Sequence, residues 1–188
     1  MRAKFILLSL LVTSTFCTVN AEGWTFTDID GKDYQPFSDS STKALVLIFI
    51  TTDCPVANFY QPVIKKLAAS YATRGIPIYL VHPDTTVTAR AADNHRKEYG
   101  ITCPVVLDHE HAWVEKTKAT ITPEAVLITR DKNIVYQGRI DNRYAKLGHK
   151  RQVVTSFDLK EALDAILNNT KIKQAKTPAI GCLIADMK

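Results

Sequence analysis

The chain has 188 residues, of which 46% are hydrophobic and 23% charged, and its formal net charge is +5. These values are typical of one globular domain and exclude disordered, collagen-like and low-complexity proteins. The basic residues form no dense block, so nucleic acid is not expected as a partner.

The first 21 residues match the pattern of an export signal. Arg2 and Lys4 precede an uncharged stretch at residues 5–19, and Val19-Asn20-Ala21 provides a small-residue cleavage site. The uncharged stretch is shorter than the roughly 20 apolar residues that a membrane-spanning helix needs. We therefore predict a signal peptide at residues 1–21 that is cleaved, a periplasmic or secreted mature protein, and no stable insertion into a membrane.

A buried strand followed closely by a helix is predicted next. Residues 44–50 are all apolar and rich in branched side chains, which is typical of a strand buried on both faces. Over residues 56–71 the apolar positions recur every three or four residues, so a helix follows and ends near Gly75. Cys54 lies at the junction, directly before Pro55, and proline is favoured in the first turn of a helix. Cys54 is therefore the predicted N-cap residue.

The position of Cys54 bears on its chemistry. The first backbone N–H groups of a helix are unpaired, and the helix dipole adds partial positive charge there, so this end favours a thiolate over a thiol. Asp53 opposes the effect, because a neighbouring negative charge disfavours a second one. The sequence marks Cys54 as the candidate nucleophile, with an activation that depends on where the Asp53 carboxylate points.

The rest of the chain alternates strands and helices and then adds a hairpin and a last helix. Strands are predicted at residues 76–81, 105–107, 125–129 and 134–138. Helices are predicted at residues 88–99, at residues 109–118 (capped by Asp108), and from behind Thr155 or Ser156 to Asn168-Asn169. This order predicts a three-layer α/β/α sandwich with a central mixed sheet. The domain is placed at residues 22–168, followed by a cysteine-bearing tail at residues 169–188.

Three cysteines remain once Cys17 is removed with the signal peptide: Cys54, Cys103 and Cys182. An exported protein meets conditions in which thiols oxidise, and an odd number of cysteines cannot all pair within one chain. At least one thiol is therefore free, or two of them alternate between reduced and oxidised states. One inert disulfide with a buried third thiol is the alternative.

Four short motifs lie at positions that a known superfamily shares. They are Phe49-Ile50-Thr51-Thr52-Asp53-Cys54-Pro55 at the strand-to-helix junction, Pro62 within the helix, Thr122-Pro123 before a strand, and Asp28-Ile29-Asp30-Gly31-Lys32 near the start. As a set they make residues 24–168 resemble the thioredoxin superfamily, in its redoxin branch, which contains the alkyl hydroperoxide reductase and thiol-specific antioxidant proteins.

The resemblance implies a fold, a function and the residues that carry it. The fold would be thioredoxin-like, and Cys54 would be the attacking thiolate of an exported thiol-disulfide oxidoreductase. Pro123 would follow a cis peptide bond and face Cys54, and the backbone of Thr122 would pair with a substrate strand, with Pro55 beside it. The implied partners are a protein or small-molecule disulfide as substrate and a thiol protein as electron donor, without a cofactor.

Departures from the family patterns leave a second activity open. Ala57 follows Cys54 at the position where thioredoxins have a second cysteine, which excludes a vicinal dithiol. Thr51 lies three residues before Cys54, as in peroxiredoxins, whose threonine hydroxyl stabilises the peroxide oxygens, so Thr51 is a candidate catalytic residue. Leu47 stands where peroxiredoxins have proline, and Thr122-Pro123-Glu124 where they have an arginine. Peroxide reduction, as an antioxidant function, is therefore the alternative.

An oxidised Cys54 needs a second thiol to be released from its mixed disulfide or sulfenic acid. Cys182 is the preferred resolving thiol. It lies in an apolar segment that is expected to dock, and the flexibility of the basic linker before it, residues 171–176, would give it reach. Cys103, directly before Pro104 at the start of a strand, is the alternative resolving thiol. A third interpretation is that Cys54 has no internal partner.

A non-enzymatic function is a further alternative. Asp108-His109-Glu110-His111 is rich in metal-ligating side chains, but on a helix His109 and His111 project about 200° apart and cannot share one ion. No metal site is predicted on these grounds. Copper chaperones of the Sco type share the fold but use two cysteines on the first loop, where this chain has only Cys54. A copper-binding or degenerate binding module is thus the non-enzymatic interpretation.

Overall fold

The computed structural model describes residues 23–185. The export signal predicted at residues 1–21 lies outside the described residues. Within the described part of the chain, no helix is both long and apolar enough to cross a membrane.

The elements follow the predicted order from the first long strand to the last helix. In chain order they are β1 (Phe26–Thr27), β2 (Asp33–Tyr34), a 3-10 turn (Pro36–Ser38), β3 (Ala44–Phe49), α1 (Pro55–Ala72), β4 (Ile78–His82), α2 (Ala89–Tyr99), β5 (Val105–Leu107), α3 (Ala112–Thr117), β6 (Ile121–Thr122), β7 (Glu124–Thr129), β8 (Ile134–Gly138), β9 (Tyr144–Lys146), β10 (His149–Lys150), α4 (Asp158–Leu167) and β11 (Cys182–Leu183).

The central sheet has the strand order β5-β4-β3-β7-β8. β3, β4 and β5 run parallel, whereas β7 pairs antiparallel with β3 and β8 pairs antiparallel with β7. The steps from β3 to β4 and from β4 to β5 go in the same direction across the sheet, so right-handed crossovers put α1 and α2 on one face. The predicted mixed sheet is confirmed.

β3 lies in the middle of the sheet because both of its faces are apolar, and all six of its residues are buried. Val46 and Ile48 belong to a core that also contains side chains of α1, α2 and α4. Leu45 and Leu47 belong to a second core on the other face, together with Val114 of α3 and side chains of β1. Two cores on the two faces of one sheet make the three-layer, thioredoxin-like sandwich that the sequence predicts.

α3 is shorter than predicted and begins at Ala112 instead of residue 109. Asp108 does cap it, but from a distance, since its carboxylate accepts hydrogen bonds from the N–H groups of Trp113 and Val114. Between Asp108 and the start of α3, His111 has its backbone in the left-handed region, with φ 55°. A turn at residues 108–111 therefore takes the place of the first predicted helical turn.

The tail after α4 is held against the domain, which differs from the flexible linker that the sequence suggests. The backbone of Gln137 in β8 donates to Ala175 O at 2.9 Å and accepts from Thr177 N at 3.0 Å. Thr177 is buried, and its hydroxyl lies 2.8 Å from the Tyr136 hydroxyl and accepts from Arg139 N at 3.1 Å. These hydrogen bonds fix the path of the chain toward its last cysteine.

Buried polar groups of α1, β4 and α2 have no hydrogen-bond partner among the described residues. His82 is 0% exposed with both ring nitrogens unpaired, and the Gln61 amide and Nδ1 of His95 are unpaired as well. His95 Nε2 lies 2.8 Å from Asn58 Oδ1, and the rings of His82 and His95 are 5.6 Å apart. Burial is the main cause that lowers the pKa of His82 to about 3. The nearby His95 adds to this lowering, and the charge of Asp84 opposes it. His82 is therefore neutral in the folded protein near neutral pH.

We expect His82→Leu to flatten the acid side of the stability profile. The unfolded chain takes up a proton at His82 below about pH 6.5, whereas the folded protein resists it down to about pH 3. The free energy of unfolding therefore falls as pH is lowered through this window, by up to about 1.4 kcal/mol per pH unit. Urea unfolding between about pH 7 and pH 4 measures the difference, with exposed His149→Leu as the control. Equal pH slopes for the wild type and His82→Leu would contradict this expectation.

Candidate active site

Cys54 is the N-cap residue of α1, at the end of the loop that leaves β3. Its Sγ atom accepts a hydrogen bond from Ala57 N at 3.5 Å, and Pro55 follows in the first turn. Only 1% of Cys54 is exposed, whereas Asp53 beside it is exposed to solvent. The sulfur therefore lies at the positive end of the helix dipole, and the Asp53 charge is partly screened by water.

The same sulfur atom contacts the turn that leads into β7. The pairing of Phe49 with Glu124 brings the ends of β3 and β7 together, and Cys54 Sγ donates to Thr122 O at 3.1 Å. Thr122 is fully buried. The Thr122–Pro123 peptide bond is cis, as the resemblance implies. The backbone before Pro123 is thus a direct neighbour of the candidate nucleophile.

The tail ends beside the same backbone. Cys182 pairs with Thr122, and Leu183 with Ile121, in an antiparallel ladder between β11 and β6. The Thr122 hydroxyl also donates to Cys182 O at 3.4 Å. Gly181 allows this approach, because a Cβ atom at that position would lie 1.9 Å from Thr122 O. Two strands distant in sequence therefore meet at one peptide group.

The thiols of Cys54 and Cys182 are neighbours, and both are reduced in the structure. Burial is the main cause that raises the pKa of Cys182 to about 12, and the neighbouring Cys54 side chain and the charge of Asp53 raise it further. Cys182 is therefore a protonated thiol near neutral pH while reduced Cys54 lies beside it. Of the two sulfurs, only that of Cys54 accepts a hydrogen bond from the N-terminus of α1.

Cys103 lies away from this pair. It leads into β5, which is the edge strand and is separated from β3 by β4. Because the three strands are parallel, the start of β5 and the loop after β3 lie toward opposite ends of the sheet. Cys103 is 7% exposed, and burial raises its thiol pKa to about 11. The structure therefore brings Cys182 to Cys54 but leaves Cys103 in the core.

The remaining predicted site residues flank Cys54. Thr51 is buried in the loop between β3 and α1, and Pro55 is exposed in the first turn of α1. Of the predicted site residues, Thr122 contacts the sulfur directly, and Pro123 follows it in the chain.

Two residues that sequence reasoning did not single out also line the site. Tyr60 shares a small cavity with Pro123 and Ile180 of the tail. Its hydroxyl donates to Asp141 Oδ1 at 2.5 Å, and burial, reinforced by this bond, raises the pKa of Tyr60 far above its usual value. An aromatic residue at helical spacing has the same pattern in a core as at a site, so the sequence carries no signal for Tyr60. Gly181 carries none either, because its role depends on a contact with distant Thr122.

The histidine-rich segment does not form a cluster. His109 Nε2 donates to Val87 O at 2.8 Å, and His111 Nε2 donates to Pro83 O at 2.8 Å. Within residues 23–185, no three histidine, cysteine or acidic side chains are grouped so that they could hold one metal ion.

Comparison with known proteins gives matches over the part of the chain that contains Cys54, Thr122 and Pro123. The family model described as Redoxin matches residues 20–149. The thiol-disulfide oxidoreductases ResA of Bacillus thuringiensis and of Bacillus anthracis are each 26% identical to the chain over 117 residues, which is 62% of this chain and 66% of theirs. The chain thus spans just under two thirds of the length of these curated relatives.

Solved structures share the fold. A hypothetical protein of Sinorhizobium meliloti matches with a TM-score of 0.77 and 25% identity, over 89% of this chain and 92% of that one. A thiol:disulfide interchange protein of the thioredoxin family from Chlorobium tepidum matches with a TM-score of 0.58 and 18% identity, over 77% and 93% of the two chains. The latter likeness concerns the fold alone.

We expect Cys103 to resist alkylation while the protein is folded. Burial raises its pKa to about 11, against about 8.5 for a cysteine in an unfolded chain, so iodoacetamide near pH 8 should react at least about 100-fold more slowly with the folded protein. Mass spectrometry of a Cys54→Ser/Cys182→Ser variant, with and without urea, measures this ratio. Glutathione in the same solutions controls for the reagent. A Cys103 rate that urea leaves unchanged would contradict the burial described above.

Proposed function

The chain belongs to the redoxin family, and on that premise we propose that it is a thiol-disulfide oxidoreductase in which Cys54 and Cys182 alternate between two thiols and one disulfide. The observation that carries the proposal is that Cys182 pairs with Thr122, whose carbonyl oxygen accepts a hydrogen bond from Cys54 Sγ at 3.1 Å at the N-terminus of α1. The activity of the ResA relatives, thiol-disulfide oxidoreductases by name, supports the same reaction class.

The first step is attack on a substrate disulfide. The Cys54 thiolate forms a bond to one substrate sulfur, and the other substrate sulfur leaves as a thiolate. The N–H of Ala57, 3.5 Å from Sγ, and the positive end of the α1 dipole favour the attacking thiolate. We propose Thr122 and Pro55 as substrate contacts, with Pro123 beside the reacting sulfur, because these residues border Cys54.

The second step closes the internal disulfide. The Cys182 thiol gives its proton to the substrate thiolate and attacks Cys54 Sγ, which releases the second substrate sulfur. The substrate has then gained two electrons, and the enzyme holds a Cys54–Cys182 disulfide. Once Cys54 is in a mixed disulfide it carries no charge, so one cause of the raised Cys182 pKa is removed before this attack. A thiol protein returns the pair to two thiols as electron donor.

Peroxide reduction has less support. Thr51 lies close to Cys54 in sequence, but the reaction also needs a free positive charge at the peroxide oxygens. Arg139 lines a cavity with Pro123, yet its Nε and Nη2 atoms both donate to Asp158, at 2.8 and 3.1 Å. This guanidinium is therefore engaged in an ion pair with Asp158.

We also propose that the protein is exported and acts outside the cytoplasm. The support is the signal pattern at residues 1–21 and the presence of reactive cysteines, which suits an oxidising compartment. The mature domain would comprise residues 22–168, with residues 169–188 supplying the resolving cysteine.

We expect the three cysteines to contribute unequally to insulin reduction with a dithiol donor. Cys54→Ser should lower the rate at least about 100-fold because the attacking thiolate is lost, and Cys182→Ser should accumulate mixed disulfides because release is blocked. Cys103→Ser is the matched control and should stay within about two-fold of the wild type, because that thiol plays no part in exchange. Full activity in Cys54→Ser would overturn the proposal.

Peptide mapping under non-reducing conditions after mild oxidation tests the pairing directly. We expect one peptide pair that joins Cys54 to Cys182, with Cys103 recovered as a free thiol. A disulfide from Cys103 to either of the other two cysteines would contradict the assignment.

Peroxide consumption and Cu(I) titration distinguish the alternative functions. Stoichiometric Cu(I) binding that needs Cys54, without disulfide turnover, would favour a copper-binding module over an enzyme.

A further inference from the structure

β6 is a short strand next to the reactive sulfur. Within residues 23–185 its ladder partner is β11 alone. The edge of a strand offers unpaired N–H and C=O groups and is a template for an extended polypeptide. Thr122 in β6 already accepts a hydrogen bond from Cys54 Sγ. A polypeptide paired with β6 would therefore have its backbone directly beside Cys54.

The tail fits this edge closely. Gly181 is required, since a Cβ atom there would lie 1.9 Å from Thr122 O and 3.1 Å from Pro123 Cδ. Beyond the ladder, Ile184 N donates to Thr120 O at 3.0 Å, and the Ile184 side chain is 4% exposed in the core that contains α3. The tail is thus docked on both sides of Cys182.

We infer that residues 181–184 are a resident strand in a polypeptide-binding edge, and that an extended polypeptide disulfide reaches Cys54 by displacing them. The inference rests on the proposed role of Cys54 as the attacking thiol and adds a control on which substrates meet it. With the tail docked, Cys54 is 1% exposed. A small disulfide needs only a local opening to reach the sulfur, whereas a polypeptide needs the whole edge of β6.

The tail is suited to be displaced. Its ladder with β6 consists of two residue pairs, Cys182 with Thr122 and Leu183 with Ile121. However, the tail is tethered to the same chain, and a tethered segment competes at an effective concentration on the order of millimolar. A free polypeptide at a lower concentration therefore competes poorly until tail docking is weakened. Weaker docking should accelerate the reaction with polypeptides selectively.

The test uses a full-length chain in which Cys54 is the sole thiol, the Cys17→Ser/Cys103→Ala/Cys182→Ser background. One probe is an extended peptide with a single cysteine, and the other is cysteamine, each joined by a disulfide to thionitrobenzoate. In both reactions the Cys54 thiolate forms a disulfide with the probe sulfur, and thionitrobenzoate leaves as a coloured thiolate. The ratio of the two rate constants cancels changes in the intrinsic reactivity of Cys54.

Two substitutions weaken the docking, and one leaves it intact. Gly181→Ala pushes the tail from Thr122, and Ile184→Ala removes its buried anchor. Leu183→Ala is the matched control in the same strand, because the Leu183 side chain is 76% exposed. We expect the peptide-to-cysteamine ratio to rise about ten-fold or more in each docking variant and to change less than about two-fold in the control. Hydrogen exchange at the Ile184 amide should lose protection in parallel.

Each result is informative. If the docking variants release the tail by hydrogen exchange and the ratio stays at its background value, the inference is wrong. If neither variant releases the tail, the contacts on which the inference rests are wrong. If Cys54 reacts with neither probe, the proposed function fails instead. Because this background cannot form an internal disulfide, its outcome is independent of the pairing found by peptide mapping.

Discussion

The peptide group of Thr122 is the contact on which the rest of the site depends. Its carbonyl accepts the Cys54 thiol at 3.1 Å on one side, and the backbone of Gly181 passes against it on the other. A backbone group can serve both neighbours only if no side chain intervenes, which explains the glycine. A shift of this turn would therefore disturb both contacts at once.

The two thiols at this contact are not equivalent. Cys54 caps α1, where unpaired N–H groups and the helix dipole stabilise negative charge. Cys182 lies on a short strand without such a donor set, and burial and its neighbour keep the Cys182 pKa high. This inequality assigns an order to the two attacks in the proposed cycle. In the proposed cycle, Cys182 on the tail takes the role of the second cysteine that thioredoxins have one helical turn after the first, where this chain has Ala57.

The tail binds through separate anchors, which gives it a defined place without making it part of the sheet core. Thr177 forms hydrogen bonds with Tyr136 and Arg139, and burying the side chain of Ile184 contributes about 2 kcal/mol. Each backbone hydrogen bond between β11 and β6 adds about 1 kcal/mol. Such a strand stays docked most of the time, yet its ladder can open without unfolding the domain.

Sequence alone determined the elements and the position of Cys54 as a helix N-cap, because both depend on local patterns. The apolar run of β3, the helical periodicity of α1 and the proline after Cys54 are short-range features, and the structure reproduces them with small shifts. The first turn expected for α3 failed because Asp108 caps the helix across a turn in which His111 adopts a left-handed conformation. The basic linker at residues 171–176 was expected to be flexible, because basic, polar segments rarely bury enough apolar surface to become ordered, but the backbone of Gln137 holds its end against β8.

Only the tertiary structure decided which cysteine lies beside Cys54. Cys103 and Cys182 are both far from Cys54 in sequence, so no spacing rule separates them. The sheet order places Cys103 two strands away, and the pairing of β11 with β6 places Cys182 next to the nucleophile. Such contacts arise from long-range strand pairing and from the fit of Gly181 against Thr122, which no local pattern in the chain encodes.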